Sequence, residues 1–173
     1  MDKVSEADLV ENHGLLRTDP EYYLALVNAF VLQNPSNPDG YFSRHQAWMN
    51  LGRPDLALED LNKSLSLEPH HVTLRSRGNV FRSMGRYAEA IEDFDRAEAL
   101  DPVAWREAYG PLFRADCHAR LGNEAAALSD CDKLSSDHWT PGVRGAPAGT
   151  KAEVIAQIRR LAAAGKREQD SRR

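Results

Sequence analysis

Along residues 71–102 apolar positions recur every three or four residues, in two runs separated by Met84-Gly85. Leu74, Gly78, Phe81 and Met84 make the first run; Tyr87, Ala90, Ile91, Phe94, Ala97 and Leu100 make the second. This spacing returns each side chain to the same side of a helix, so both runs predict amphipathic helices. Asp101-Pro102 closes the second helix, because proline disfavours helical geometry in the residue before it. Alternating stretches are few and β-branched residues sparse, so strands are not expected.

The pattern is written more than once. GRYAEAIEDFDRAEALDP (85–102) repeats GRPDLALEDLNKSLSLEP (52–69) at an interval of 33 residues, with seven of eighteen positions identical. Leu51-Gly52, Met84-Gly85 and Leu121-Gly122 mark successive turns, 33 and then 37 residues apart, and Pro35, Pro69 and Pro102 close successive units. A fixed period of this length predicts a stack of antiparallel helix pairs joined by glycine turns. A second regularity runs through it. Arg44, Arg77 and Arg114 stand eight residues before the glycines, and Asp60, Asp93 and Asp130 eight after. Positions equidistant from a hairpin turn lie side by side, so each pair is expected to form an ion pair between the two helices of its unit.

The residues at these places resemble the tetratricopeptide repeat family. Residues 71–104 carry its pattern through Gly78, Phe81, Gly85, Tyr87, Ala90, Phe94, Ala97 and Pro102. Residues 38–70 carry it through Tyr41, Trp48, Gly52, Ala57, Leu61 and Pro69, with His45 where a small residue is usual. Residues 108–139 keep Ala115, Gly122 and Ala127, while Cys131 replaces the large apolar residue and Trp139 the closing proline. The resemblance implies an all-α fold, a right-handed α-solenoid of antiparallel helix pairs. It also implies that the first helix of each unit lines a concave groove for a peptide or a partner helix.

The ends of the chain are read from local signals. Residues 1–18 form a short or degenerate helix. Asp19 caps and Pro20 opens a helix that makes a half unit over 19–35. Units follow at 38–70, 71–104 and 108–139. Residues 140–149, TPGVRGAPAG, form a Pro/Gly loop. Thr150 and Glu153 make a capping box for a helix over 150–164, whose stripe Val154, Ile155, Ile158, Leu161 and Ala162 covers the last repeat. Gly165 is expected to stop that helix and 165–173 to be a disordered tail.

Composition narrows the function. A net charge of −4 over 173 residues argues against nucleic-acid binding. There is no apolar run long enough to span a membrane, and the acidic N-terminus has no apolar signal region, so a cytoplasmic protein is expected. Two cysteines, Cys117 and Cys131, are too few for a disulfide framework. With His118 and His138 they fit no zinc spacing, and buried inert thiols are the expectation. No nucleotide, hydrolase or metalloprotease motif is present. No catalysis, cofactor or metal is therefore implied.

What remains is a binding surface. On the first helices of the three units, stripes at i, i+4 and i+7 read Phe42, Gln46, Met49, then Arg75, Asn79, Arg82, then Leu112, Asp116, Ala119. Two guanidiniums flanking an amide suit a peptide with a carboxylate or acidic residue near its centre, since the guanidinium fork matches a carboxylate. The alternative for Arg75 and Arg82 is a solvated helix face. Leu112 and Phe113 stand where the polar clamp of chaperone-binding relatives would continue, so a chaperone-tail clamp is not expected. The chain therefore reads as a scaffold or adaptor for a protein or peptide partner. Self-association is the first alternative. A small-ligand or enzymatic role for the Gly-rich loop is the second.

Overall fold

The structure, a computed structural model, describes residues 3–142 and 145–172. The rest, Met1, Asp2, Val143, Arg144 and Arg173, lie outside the described residues, so the centre of the expected 140–149 loop does as well. The described residues are all-α apart from one two-stranded ladder. They form two compact units, divided after Val80.

In the first unit, α1 (Glu6–Glu11) and α2 (Leu15–Thr18) pack on α3 (Pro20–Gln33), which packs on α4 (Pro38–Asn50), which pairs with α5 (Pro54–Leu67). Local chemistry sets each start. Ser5 and Asp8 form a capping box at α1. Asp19 Oδ1 accepts the Tyr22 N–H at 3.0 Å, and Asn37 Oδ1 accepts that of Asp39 at 2.8 Å. Prolines begin α3, α4 and α5, where a missing N–H costs nothing. The core joins Leu9, Leu16, Tyr23, Val27, Phe30, Val31, Tyr41 and Ala47. Helix α6 (His71–Ser83) follows, and the division between units falls within it.

The second unit holds α7 (Tyr87–Leu100), α8 (Pro102–Glu107), α9 (Gly110–Arg120), α10 (Glu124–Asp132), β1 (Trp139–Thr140), β2 (Gly149–Thr150) and α11 (Lys151–Ser171). Phe94, Trp105, Leu112, Phe113, Val154 and Ile158 are buried in its core.

The three recurring glycines do one job. Gly52, Gly85 and Gly122 have φ of 68°, 76° and 72°, the left-handed region that favours a residue without Cβ. After each, the next N–H reaches back to close the preceding helix: Arg53 to Trp48 O at 2.8 Å, Arg86 to Phe81 O at 2.9 Å and Asn123 to His118 O at 2.9 Å. These are Schellman caps, which turn the chain sharply and satisfy helix-end carbonyls.

A short extra helix precedes the third hairpin: α8 and α9 are separated by Tyr109, a non-glycine residue at φ 60°. The Trp105 ring lies so close to Gly110 that a Cβ there would stand 2.1 Å from its Cδ2. Pro111 then restarts the helix, and the detour accounts for the longer 37-residue step. Leu100, assigned to an inward face, is 54% exposed, because it is the last residue of α7 and the chain turns there into α8.

The C-terminus also departs from the expectation. Gly165 does not stop the last helix, and there is no disordered tail among its described residues; α11 runs to Ser171. Its glycine is a close-approach residue. A Cβ at 165 would lie 2.4 Å from Arg120 O and 2.8 Å from Gly122 N. Helix α11 therefore rests on the end of α9, and Gln169 Nε2 donates to Leu121 O at 2.8 Å. The Thr150–Glu153 capping box starts α11, and the fully buried Val154 and Ile158 contribute about 1.5–3 kcal/mol each by leaving water. The loop before it is pinched at its base, where Trp139 pairs with Thr150 and Thr140 with Gly149.

Candidate functional site

The structure divides the expected groove residues into two groups. Phe42, Gln46 and Met49 are half-buried along α4, and Arg75 is half-buried on α6. Phe42 packs its ring on His45, centroids 4.7 Å apart. Gln46 Oε1 lies 3.2 Å from His13 Nε2. Asn79 is buried, and among the described residues its Oδ1 has no hydrogen-bond partner. The second group does not face solvent. Leu112 is 0% exposed and forms part of the second unit's core, so it offers a ligand no surface. Asp116 is equally buried and accepts from Arg82 Nη1 at 2.8 Å and from Arg120 Nε at 3.0 Å. The Arg82 guanidinium also lies 5.1 Å from the Phe113 ring. Arg82 and Asp116 thus form a structural ion pair, and the spacing that placed them on a groove face could not show which neighbour lay opposite.

The ladder of arginines is built as the hairpin geometry requires in α4/α5 and α9/α10. Arg44 donates through Nε to Asp60 Oδ2 at 2.8 Å and through Nη2 to Oδ1 at 2.6 Å. Arg114 holds Asp130 in the same two-pronged way, at 2.9 and 2.7 Å. The Asp60 hydrogen bond holds the Arg44 guanidinium above its ordinary pKa against the effect of burial. Burial alone would lower the Arg114 pKa, but Asp130 and Glu98 outweigh it and raise it.

A third partner was not legible in the sequence. Each arginine also reaches back to the helix before its own hairpin. Arg44 Nη1 donates to Asn28 Oδ1 at 3.1 Å, Arg77 Nη1 to Asn62 Oδ1 at 2.7 Å, and Arg114 Nη1 to Asp95 Oδ1 at 2.6 Å. Asn62 and Asp95 stand two residues after Asp60 and Asp93, and Asn28 holds the same place in the half unit. The signal was present as a periodic Asn/Asp, but reading it required knowing which helix packs behind the arginine.

In the third repeat the two cysteines are buried and His118 and His138 are half-buried. Both cysteines are free thiols. Burial, with Asp116 adjacent, pushes Cys117 up to about 12. Burial, with Asp130 adjacent, pushes Cys131 up to about 11. Burial also lowers His118 below its usual value, against the pull of Asp130. Among the described residues no cluster of His, Cys, Asp and Glu is placed to hold a metal ion, and no helix is long and apolar enough to cross a membrane.

A cavity of about 280 Å³ opens in the first unit where the start of α4, the end of α5 and the start of α6 meet. Phe42, Asp39, Glu68 and Thr73 are among its lining residues.

Helix pairs closed by left-handed glycines at a near-constant period define this chain as a helix-hairpin repeat protein. A sequence model of the tetratricopeptide repeat matches residues 72–102. Small glutamine-rich tetratricopeptide repeat-containing protein 2 of Mycosarcoma maydis is 26% identical over 103 residues, 57% of this chain and 29% of that protein. DnaJ homolog subfamily C member 3 of Rattus norvegicus is 30% identical over 110 residues, 62% of this chain and 22% of that protein. Hsp70-Hsp90 organizing protein of Triticum aestivum is 28% identical over 125 residues, 71% and 21% respectively. The chain thus carries a tetratricopeptide repeat over residues 72–102, and it spans less than a third of the length of each of these curated relatives. Its fold matches the crystal structure of MamA with a TM-score of 0.66 at 17% identity, over 98% of this chain and 99% of that one. It matches MamA 41-end from Desulfovibrio magneticus RS-1 with a TM-score of 0.68, also at 17% identity, over 97% and 99%. At that identity the likeness is one of fold.

Proposed function

We propose that the chain is a protein-interaction scaffold that holds a peptide segment of a partner on the faces of α4 and α6 in the first unit. One observation carries this reading. Phe42, Gln46 and Met49 keep part of their surface along one line of α4, while Tyr41, His45 and Ala47 are buried. Apolar contact comes from Phe42 and Met49. Arg75 supplies a guanidinium for a partner carboxylate, and Asn79 an amide for its backbone. The family context supports a protein partner: one relative is named for organizing Hsp70 and Hsp90, which are themselves proteins. Phe42→Ala and Arg75→Ala are expected to release partners that the wild type and Glu92→Ala, an exposed change on α7, both retain. Equal loss on Glu92→Ala would remove the assignment.

A specific observation favours self-association as a second reading. Helix α3 is apolar on two sides. Tyr23, Val27, Phe30 and Val31 are buried, yet Leu32 is 77% and Tyr22 58% exposed, and Val10 of α1 is 76% exposed. Tyr22, Ala25, Ala29 and Leu32 lie on one line, large–small–small–large, which is self-complementary about a two-fold axis. Sedimentation velocity across concentration tests it. A dimer broken by Leu32→Glu supports the reading, and a monomer at all concentrations refutes it.

A further inference from the structure

We propose that the cavity between α4, α5 and α6 is a receptor for an arginine side chain presented by a partner protein. Phe42 supplies an aromatic wall, Pro38 and Val72 supply apolar edges, and Ser64 and Thr73, both buried, supply hydroxyls. The charged groups at the rim are the carboxylates of Asp39 and Glu68, with His70 beside them. Among the described residues no lysine or arginine lines the cavity. Among the described residues neither carboxylate has a cationic partner, in contrast to Asp60, Asp116 and Asp130, each of which holds an arginine. Both carboxylates also line the adjoining depression at Asn34, Pro35 and Asn37, so the negative wall extends beyond the cavity mouth.

Helix α5 ends at Leu67 with the negative end of its dipole toward Glu68, while α4 and α6 begin beside the cavity with their positive ends, so the negative charge of the rim rests on the two carboxylates. His70 Nδ1 accepts the Val72 N–H at 3.2 Å, which fixes the ring beside the cavity. An occupant must carry positive charge, present an apolar stem to Pro38 and Val72, and tolerate contact with an aromatic face. Arginine meets all three requirements. Its guanidinium stacks on aromatic rings and forks onto carboxylates, whereas lysine offers only a compact, strongly hydrated ammonium. Charge complementarity thus selects the occupant, and the hydroxyls give the fork further acceptors.

The test uses the full chain, isotopically labelled, with acetyl-Ala-Ala-Arg-Ala-Ala-amide as probe. Backbone amide signals of Phe42, Val72 and Thr73 are expected to shift saturably as the peptide is added. Replacing its arginine by citrulline, a neutral analogue of nearly the same shape, is expected to weaken binding by about tenfold or more, the loss expected for a charge-assisted pair. Glu68→Gln and Asp39→Asn, each at an exposed residue, are each expected to weaken the arginine peptide at least severalfold. Equal shifts with the citrulline peptide, or full binding by both variants, would overturn the assignment. The cavity and the α4/α6 surface fail separately. The citrulline control bears on the cavity alone, and partner loss confined to Arg75→Ala bears on the surface alone.

Discussion

Replacing Arg114 by methionine tests the arginine ladder where it is most buried. The Arg114 side chain is 7% exposed and that of Asp130 6%. The substitution keeps most of the side-chain stem and removes the guanidinium. It breaks two hydrogen bonds to Asp130, one to Asp95 and the ion pair to Glu98. Asp95 is exposed and returns to water, and Glu98 keeps Lys133 at 3.0 Å. Asp130 is left buried, with only Lys133, 3.4 Å away, as a partial substitute. An uncompensated buried charge costs about 3–5 kcal/mol, several times the value of an exposed pair. At a urea dependence of about 2 kcal/mol/M this lowers the unfolding midpoint by about 2 M. Trp105, whose ring lies 5.4 Å from the guanidinium, places a fluorescence reporter at the site. Adding Asp130→Leu removes the stranded carboxylate, so the double variant is expected to recover at least half of the loss, since apolar replacement of a buried pair is often neutral. A single-variant cost below about 0.5 kcal/mol, in the range of an exposed pair, would refute this reasoning. So would a double variant that loses the sum of the two single costs.

Two further outcomes follow from the fold. Alanine normally stabilises a helix interior over glycine by about 1 kcal/mol, but Gly165→Ala is expected to destabilise by about 1–3 kcal/mol because its Cβ meets the backbone of Arg120 and Gly122; a raised melting temperature would contradict the packing. Burial raises the Glu98 pKa, but Lys133 and Arg114 outweigh it and hold the group below its ordinary 4.5. Its contribution to stability is therefore full above pH 4.5 and lost as the pH falls through the lowered native value. Glu98→Gln is expected to flatten the acid limb of a stability-against-pH curve, and an unchanged limb would remove Glu98 from the cause.

The repeats were legible because their signals are local. The Gly52, Gly85 and Gly122 turns follow from spacing alone, and the Arg44–Asp60 and Arg114–Asp130 pairs follow from hairpin symmetry about those turns. What escaped depends on contacts between elements distant in sequence. Gly165 looks like a helix stop until α9 is placed against it. Arg82 and Asp116 look like surface residues until their burial is known. The Tyr109 break had a readable sign in Gly110-Pro111, since proline inside a first helix removes a donor, but the reason for the detour is the Trp105 ring. The cavity beside Phe42 had no sequence signature, because Asp39, Glu68 and Thr73 come together only when three helix ends meet.

The backward reach of the arginines bears on where one repeat ends and the next begins. Helix α5 turns Asp60 toward Arg44 of its own hairpin and offers Asn62 to Arg77 of the helix that follows. A hairpin cut at the closing prolines would therefore leave with an arginine whose rear acceptor stays behind. For grafting, duplication or consensus design, the self-contained module is the hairpin together with the helix before it. A junction drawn there carries its own polar address, whereas one drawn at the sequence period leaves each arginine to accept whatever stranger precedes it.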